Sequence, residues 1–400
     1  MADTTATPNV GSTRWGGRTL LLALFPLLLL GGLLGFLVVT GSGLGARTAP
    51  PIEELTIDRV FLPAPDQMVI EVTNGGPDEV TVSQILVDDA YWQFEMTPAT
   101  TIPRLGRATI TTNYPWVQDE PHAILLMTNT GVTFEAAVGV ATQAPAPTLA
   151  TFWQYALLGI YVGFIPVGLG LLWYPFLRRL GRTGMQVVLA LTVGLLLFLF
   201  FDTIDSALGI IATTAGAFGG APLIFMVALL TFGGLLAIGS RGKNQNGTRL
   251  GLSYRIAGGI GLHNLGEGLA IGAAFALGQA ALGTFLVIGF TLHNITEGIG
   301  IAAPIARERP KLWHFVALAA LAGLPAVLGV WIGGFVYNSL AAAVFLALGV
   351  GAIAQVIYEV SRMIWRQSAE DGHPALSPAT FGGLAAGILI MYATALLVAA

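Results

Sequence analysis

Long apolar runs recur along the chain, and each is about as long as a helix that crosses a bilayer. A hydrocarbon core of about 30 Å needs roughly 20 predominantly apolar residues in a helix. The predicted spans are residues 19–40, 152–176, 185–208, 221–239, 252–276, 283–305, 313–336, 340–364 and 381–399. A long polar segment separates the first span from the rest. The pattern predicts a polytopic α-helical membrane protein, with an eight-helix core plus one N-terminal span.

The polar segment after the first span has a different period. Runs such as "MVIEVTNGG" and "VTVSQILV" are short, β-branched and partly alternating, and Asn-Gly, Pro and Asp interrupt them. Roughly seven strands in about 95 residues predict an extracytoplasmic all-β, immunoglobulin-like sandwich domain. A Pro-Ala linker, "TQAPAPTLA", follows it. The predicted domains are the N-terminus and first span (1–44), the β domain with its linker (45–148) and the eight-span core (149–400).

Composition agrees with a membrane protein. Of the 400 residues, 54% are hydrophobic and 10% are charged, and the mean hydropathy is +0.75, which is too apolar for a soluble domain of this length. The chain has no cysteine, which excludes disulfide, zinc-thiolate and thiol redox chemistry. The lipid bilayer is the predicted surrounding, and no nucleic-acid partner is predicted.

The basic residues predict the orientation, because Lys and Arg are retained on the cytoplasmic side. If every predicted span crosses, one side receives Arg14, Arg18, Arg178, Arg179, Arg182, Arg241, Lys243, Arg249, Arg255, Arg307, Arg309, Lys311, Arg362 and Arg366. The protein is therefore predicted in the cell membrane, with a cytoplasmic N-terminus and with the β domain and C-terminus outside. The first span could also be a signal peptide, since "GLGARTAP" offers small residues for cleavage. Its length favours an uncleaved anchor.

The β domain is acidic, since it carries 13 of the 22 acidic residues and 4 of the 18 basic ones. One interpretation is a collector that concentrates cations at the mouth of a pathway. The other is simple solubility, which screening beyond about 8 Å at physiological salt favours. Turn chemistry or weak metal binding explains the following candidates: Asp88, Asp89, Asp119, Glu120 and His122.

Two consecutive spans contain the same polar motif, "HNLGEG" from His263 and "HNITEG" from His293. Each charged group in a span costs about 2.5–3.5 kcal/mol on insertion scales, so such residues usually mark sites. His and Glu are i and i+4 in each copy and share a helix face. The six candidate metal ligands are His263, Asn264, Glu267, His293, Asn294 and Glu297. Imidazole with carboxylate suits Zn²⁺, Fe²⁺, Mn²⁺ or Co²⁺, and the alternative is polar contact between the helices without a metal.

With these motifs, residues 152–400 resemble the ZIP family of divalent-metal transporters, in its prokaryotic branch that has HNxxEG in both helices. "FFDTIDSAL" and "GVGAIAQVIYEV" resemble the family's second and seventh helices. The resemblance implies a primary mid-membrane site of His263, Glu267, His293 and Glu297. It implies a neighbouring site in which Asn264 and Asn294 share both glutamates. It further implies a pathway with Asp202 and Asp205 at the outer entrance and Glu359 at the inner exit.

One position departs from the family. The sixth core helix usually contributes a Glu that bridges two metals, but the corresponding stretch here is "AGLPAVLG", with Ala326 where the Glu would be. A single transported ion is therefore expected. For Glu359, an ion pair with Arg362 is the alternative to a metal role, and His314 is predicted to be interfacial.

The predicted function is transport of divalent transition-metal cations into the cytoplasm, with zinc ahead of iron, manganese and cobalt. No enzymatic activity and no prosthetic group are predicted; the metal is the cargo. The alternative is a membrane-embedded zinc-dependent hydrolase, in which the same ligands polarise a water molecule. A homodimer is one candidate assembly, and the partner of the β domain is unknown.

Overall fold

A computed structural model describes residues 17–40, 51–241, 249–336, 338–370, 372 and 374–399. Arg14, Arg47, Lys243 and the stretch 43–50 with the predicted cleavage site lie outside the described residues. The chain divides into two compact units, Met1–Pro51 and Ile52–Ala400. The first contains helix α1, Gly17–Thr40, an apolar helix of 24 residues with Pro26 inside it.

The second unit contains a helical core in which seven segments are long and apolar enough to cross a membrane. The first of them, 149–177, is built from α2 (Leu149–Gly159), a π-helical turn (Ile160–Phe164), α3 (Ile165–Leu171) and α4 (Tyr174–Leu177). The others are α5 (Arg182–Ala212), α6 (Gly220–Arg241), α8 (Ala280–Ala302), α9 (Leu312–Gly323) with α10 (Pro325–Phe335), α11 (Ser339–Glu370) and α12 (Pro378–Ala399).

Helix α7, Arg249–Ala276, is 28 residues long but more polar than these seven. It carries His263, Glu267 and Arg255 among its apolar residues. The described residues thus form a polytopic helical membrane protein with a β domain. The count of nine spans stays a prediction.

The β domain has nine strands in two antiparallel sheets. The strands are β1 (Leu55–Ala64), β2 (Gln67–Asn74), β3 (Val80–Val87), β4 (Ala90–Trp92), β5 (Phe94–Thr97), β6 (Thr101–Ile102), β7 (Arg107–Thr112), β8 (His122–Thr128) and β9 (Thr133–Val138). The sheet orders are β1-β2-β7-β5 and β4-β3-β8-β9, and β6 pairs with β3. Alternate residues of both sheets, such as Ile70, Ile85, Ile110 and Leu126, are fully buried and form one core.

Glycines let some core helices approach until their backbones touch. The segment 149–177 and helices α7 to α10 form helix group 1. A Cβ placed on Gly163, Gly268, Gly298 or Gly329 would meet a backbone carbonyl oxygen of another helix in this group. Helices α5, α6, α11 and α12 form helix group 2. There the same holds for Gly194, Gly351, Gly383 and Gly387.

Contacts between the two groups are of a different kind. At Gly259, Gly266 and Gly300 of group 1, the nearest atom to an added Cβ would belong to a side chain of group 2. These side chains are Val356, Leu346 and Thr192. At these glycines the contacts within each group are between backbones, and those between the groups are with side chains. Gly349 of α11 is an exception, since the nearest atom to a Cβ placed on it would be the backbone Cα of His263, at 3.5 Å.

Candidate metal centre

The two HNxxEG motifs lie on the facing sides of α7 and α8, and three of their side chains meet. Glu267 Oε1 lies 2.5 Å from His293 Nε2 and 3.0 Å from His263 Nε2. The ligand atoms of these three residues all lie within 4.8 Å of one another, and all three are buried. The i,i+4 spacing puts His263 and Glu267 on one face of α7, and the packing of α8 brings in His293. This cluster can hold a metal ion.

Glu297 is also buried, with 3% of its surface exposed, but it stands outside this cluster of three. Neither of its carboxyl oxygens has a hydrogen-bond partner among the described residues, although Asn264 lies beside it. The two glutamates are therefore unequal: Glu267 contacts both imidazoles, and Glu297 contacts neither.

Unpaired buried polar atoms concentrate in the two motifs. Among the described side chains, they include His263 Nε2, Asn264 Oδ1, Asn294 Oδ1 and both carboxyl oxygens of Glu297. The 3.0 Å contact of His263 Nε2 with Glu267 lacks the geometry of a hydrogen bond. Leaving such an atom unsatisfied costs about 1–3 kcal/mol. All five can donate a lone pair to a cation, so a metal fits this donor set.

The asparagines are oriented by other helices. Asn264 Nδ2 donates to Ala322 O at 3.1 Å, and Asn294 Nδ2 donates to Val162 O at 3.1 Å and to Glu267 Oε2 at 3.2 Å. Val162 lies in the π-helical turn, and Ala322 lies just before the break between α9 and α10. Because each amide nitrogen is used on a carbonyl, each amide oxygen is left for a ligand.

Asp202 and Asp205 lie on α5 and are both exposed. Asp202 is close enough for electrostatic interaction with His263, His293 and Glu267. Neither aspartate belongs to the cluster of three ligands. The structure thus brings Asp202 into the neighbourhood of the site, and the entrance role of both residues stays a prediction.

Glu359 on α11 forms an ion pair with Arg255 of α7, in which the guanidinium Nε lies 3.2 Å from Glu359 Oε1. An ion pair was the predicted alternative to a metal role for Glu359, but the predicted partner, Arg362, is wrong, and the partner is Arg255. Sequence spacing favoured Arg362 because it follows on the same helix, whereas the pair found joins the two helix groups. An exit role for Glu359 stays a prediction.

Two of the candidates in the β domain, Asp88 and His122, form a hydrogen-bonded network with Tyr114. Asp88 Oδ2 accepts from Tyr114 OH at 2.6 Å and lies 2.8 Å from His122 Nδ1. Burial and then the bond to Asp88 raise the pKa of Tyr114 to about 12. Burial opposes ionisation of Asp88, but the bonds from Tyr114, His122 and the Ala123 N–H outweigh it and lower the pKa of Asp88. Asp88, Asp89 and Asp119 have positive φ, as turn residues do.

Ala326 is fully buried, and its surroundings explain why it is small. A Cβ on Gly163 would lie 2.8 Å from Ala326 Cβ, and a Cβ on Gly268 would meet the Ala326 backbone. Three helices therefore approach closely at Ala326, and a larger side chain at this position would be crowded.

Several contributors to the site have little or no signature in the sequence. The carbonyl of Val162 depends on the π-helical turn, which no residue pattern in the sequence marks. Pro325 does predict the break near Ala322, because proline lacks the N–H of a regular helix. The sequence gives no sign that Arg255 pairs with Glu359 or that the Tyr254 hydroxyl lies 2.8 Å from His314 Nδ1.

Fold and site together define a helical membrane protein with a β domain and a buried His and Glu cluster that can bind a metal. Comparison with protein-family models gives no match, and comparison with curated proteins gives none either.

Proposed function

We propose that the protein transports divalent transition-metal cations, zinc foremost, across the membrane. The observation that carries this proposal is the buried cluster of His263, Glu267 and His293 on the adjoining helices α7 and α8 of the apolar core. Two imidazoles and a carboxylate, with Glu297 and the two asparagine oxygens beside them, suit Zn²⁺, Fe²⁺, Mn²⁺ and Co²⁺. A site without thiolate also releases its ion more readily than a structural zinc site, as transport requires.

The two helix groups support a mechanism of movement. All six motif residues belong to helix group 1, whereas Asp202 and Glu359 belong to helix group 2. Group 1 carries the ion and shifts against group 2 along the boundary between the groups. The Arg255–Glu359 pair crosses this boundary and is one of the contacts that the shift must change.

We propose that transport runs from outside to the cytoplasm. The positions of Lys and Arg support this orientation, with the β domain on the outside. The ion passes Asp202 and Asp205, exchanges water for the cluster ligands and leaves past Glu359. One ion is bound at a time, since Ala326 offers no bridging carboxylate.

We further propose that the core is ZIP-like, with eight spans, and that the β domain is immunoglobulin-like. The paired motifs support the first, and the sheet orders β1-β2-β7-β5 and β4-β3-β8-β9 support the second. If β3, β8 and β9 correspond to strands C, F and G, these orders match the ABED and CFG sheets of that fold.

The test is purified protein in liposomes that contain a metal-sensitive dye. We expect Zn²⁺ to enter, and we expect the double variant H263A/H293A to reduce entry to the level of protein-free liposomes. The matched control is His314→Ala, since His314 is also on a core helix but contacts Tyr254. Transport is refuted if Zn²⁺, Mn²⁺, Fe²⁺ and Co²⁺ all fail to enter, and the site assignment is refuted if H263A/H293A transports normally.

A further inference from the structure

The β domain contacts three loops at one end of the helical core. Glu54 Oε1 accepts a hydrogen bond from Gly216 N at 3.0 Å, and Ser339 Oγ donates to Asp58 O at 3.4 Å. Thr142 Oγ1 donates to Gly278 O at 2.5 Å. These bonds reach the loops α5–α6 and α7–α8 and the start of α11, so the domain is docked on the core.

These contacts reach both helix groups. Gly216 and Ser339 belong to helix group 2, because α5, α6 and α11 are in that group. Gly278 lies between α7 and α8, the two helices of group 1 that carry the motifs. A cavity of about 860 Å³ lies beneath the domain and is lined from both groups, by Thr213 on one side and Gln279 on the other.

The attachment to group 1 is also covalent. The linker after Thr142 runs directly into α2, whose first turn is capped by Thr148, with Thr148 Oγ1 accepting from Thr151 N at 3.2 Å. Thr151 Oγ1 donates back to Ala146 O at 2.7 Å. The linker is therefore held against the helix that it enters, and the β domain must follow group 1.

We infer that the β domain is a strap that ties the two helix groups together and opposes their movement. The inference rests on the proposed transport mechanism. Since the linker holds the domain to group 1, movement of group 1 against group 2 must break the contacts to group 2. Those contacts are the bonds of Glu54 and Asp58, together with the packing of Gly75 on Ala215. The domain sets the rate of transport through these contacts.

A disulfide across the group 2 contact tests this directly, because the natural chain contains no cysteine. A Cβ on Gly75 would lie 2.7 Å from Ala215 Cβ, and a disulfide places its Cβ atoms at about 3.8 Å, so a small shift suffices. We expect G75C/A215C to transport zinc when reduced, to stop when oxidised and to resume on reduction. Zinc binding at equilibrium should persist in the oxidised protein, because the ligands are untouched.

The matched control is E95C/T111C, a cross-strand pair of β5 and β7 that joins the domain only to itself. It should transport in both redox states. If reduced G75C/A215C is inactive, E54C/G216C joined by a short bifunctional thiol reagent provides a second link, because the end of the Glu54 side chain, and not its Cβ, approaches Gly216.

Weakening the strap should have the opposite effect. Glu54→Ala removes the acceptor of Gly216 N, and the loss of one hydrogen bond should increase the uptake rate about 2- to 10-fold. Its control is Glu53→Ala, since Glu53 bonds only Thr128 and Thr130 within the domain in the contacts described. Uptake that continues unchanged in the oxidised, cross-linked protein overturns the strap. An absence of uptake in the natural protein refutes the transport proposal instead.

Discussion

The unequal surroundings of the two motif glutamates lead to opposite expectations for the same substitution. Methionine replaces glutamate with a side chain of similar size and no strong polar group. At Glu297 it removes two buried carboxyl oxygens that have no partner among the described residues. At Glu267 it removes the carboxylate that is hydrogen-bonded to His293 and Asn294 and lies 3.0 Å from His263 Nε2.

The magnitudes follow from these contacts. Removing unsatisfied buried polar atoms should stabilise the metal-free protein by about 1–3 kcal/mol in Glu297→Met. Breaking a buried, hydrogen-bonded pair at one partner costs about 3–5 kcal/mol, so Glu267→Met should destabilise it by an amount in that range. The melting temperatures of the two variants should therefore move in opposite directions from that of the natural protein.

Zinc should offset most or all of the stability gained in Glu297→Met. At a zinc concentration of 100 times Kd, binding stabilises the natural protein by about 2.7 kcal/mol. If Glu297→Met weakens binding about 100-fold, the same zinc concentration stabilises the variant by only about 0.4 kcal/mol. The assay is thermal unfolding in detergent followed by tryptophan fluorescence, first with a chelator and then across a zinc titration. Equal destabilisation of both variants in chelator would refute the reasoning about unpaired oxygens.

Three further outcomes are expected. Ala326→Glu should lower the melting temperature and leave one bound zinc per chain by metal analysis, because Gly163 and Gly268 crowd this position; two zinc ions per chain would contradict this. The pKa of Tyr114 is raised to about 12, so its neutral hydroxyl stabilises the folded protein fully below about pH 10, and this stability is lost as the pH rises towards 12. Tyr114→Phe should remove this alkaline loss of stability in a fluorescence melt of the full chain. If the loss is unchanged in the variant, another group causes it. Either Glu359→Gln or Arg255→Gln alone should reduce stability more than the double variant does, and additive losses in a double-mutant cycle would argue against a coupled pair.

The sequence predicts the helical spans well because the requirement behind them is simple. A bilayer needs long apolar helices, and α5, predicted at 185–208, forms over Arg182–Ala212. Helix α7 shows the limit of this rule, since the polar motif lowers its hydropathy below that of the seven apolar segments. The residues that create the site thus weaken the signal for the helix that holds it.

The β domain was predicted with about seven strands and forms nine. The difference lies largely in the stretch 90–102, where β4, β5 and β6 are short and pair with β3 and β7. Strands of two to four residues have too few alternating positions to be recognised from periodicity. Their existence depends on neighbours that are distant in the sequence.

For the site, the convergence of His263, Glu267 and His293 follows from spacing once two helices face each other. The difference between Glu267 and Glu297 does not follow from spacing, because both glutamates occupy the same position of the HNxxEG motif. It arises from the way α7 packs on α8, which places Glu267 Oε1 within 3.0 Å of both imidazoles. Only the packed structure shows this asymmetry.

The asparagines show how far the site depends on other helices. A regular helix uses its own carbonyls, so a side chain on a neighbour finds acceptors mainly where the helix is irregular. Asn264 finds one before Pro325, and Asn294 finds one in the π-helical turn at Val162. Both amide oxygens are then free for a cation because both amide nitrogens are engaged. The candidate metal centre is therefore built by four helical segments, of which the motifs mark two.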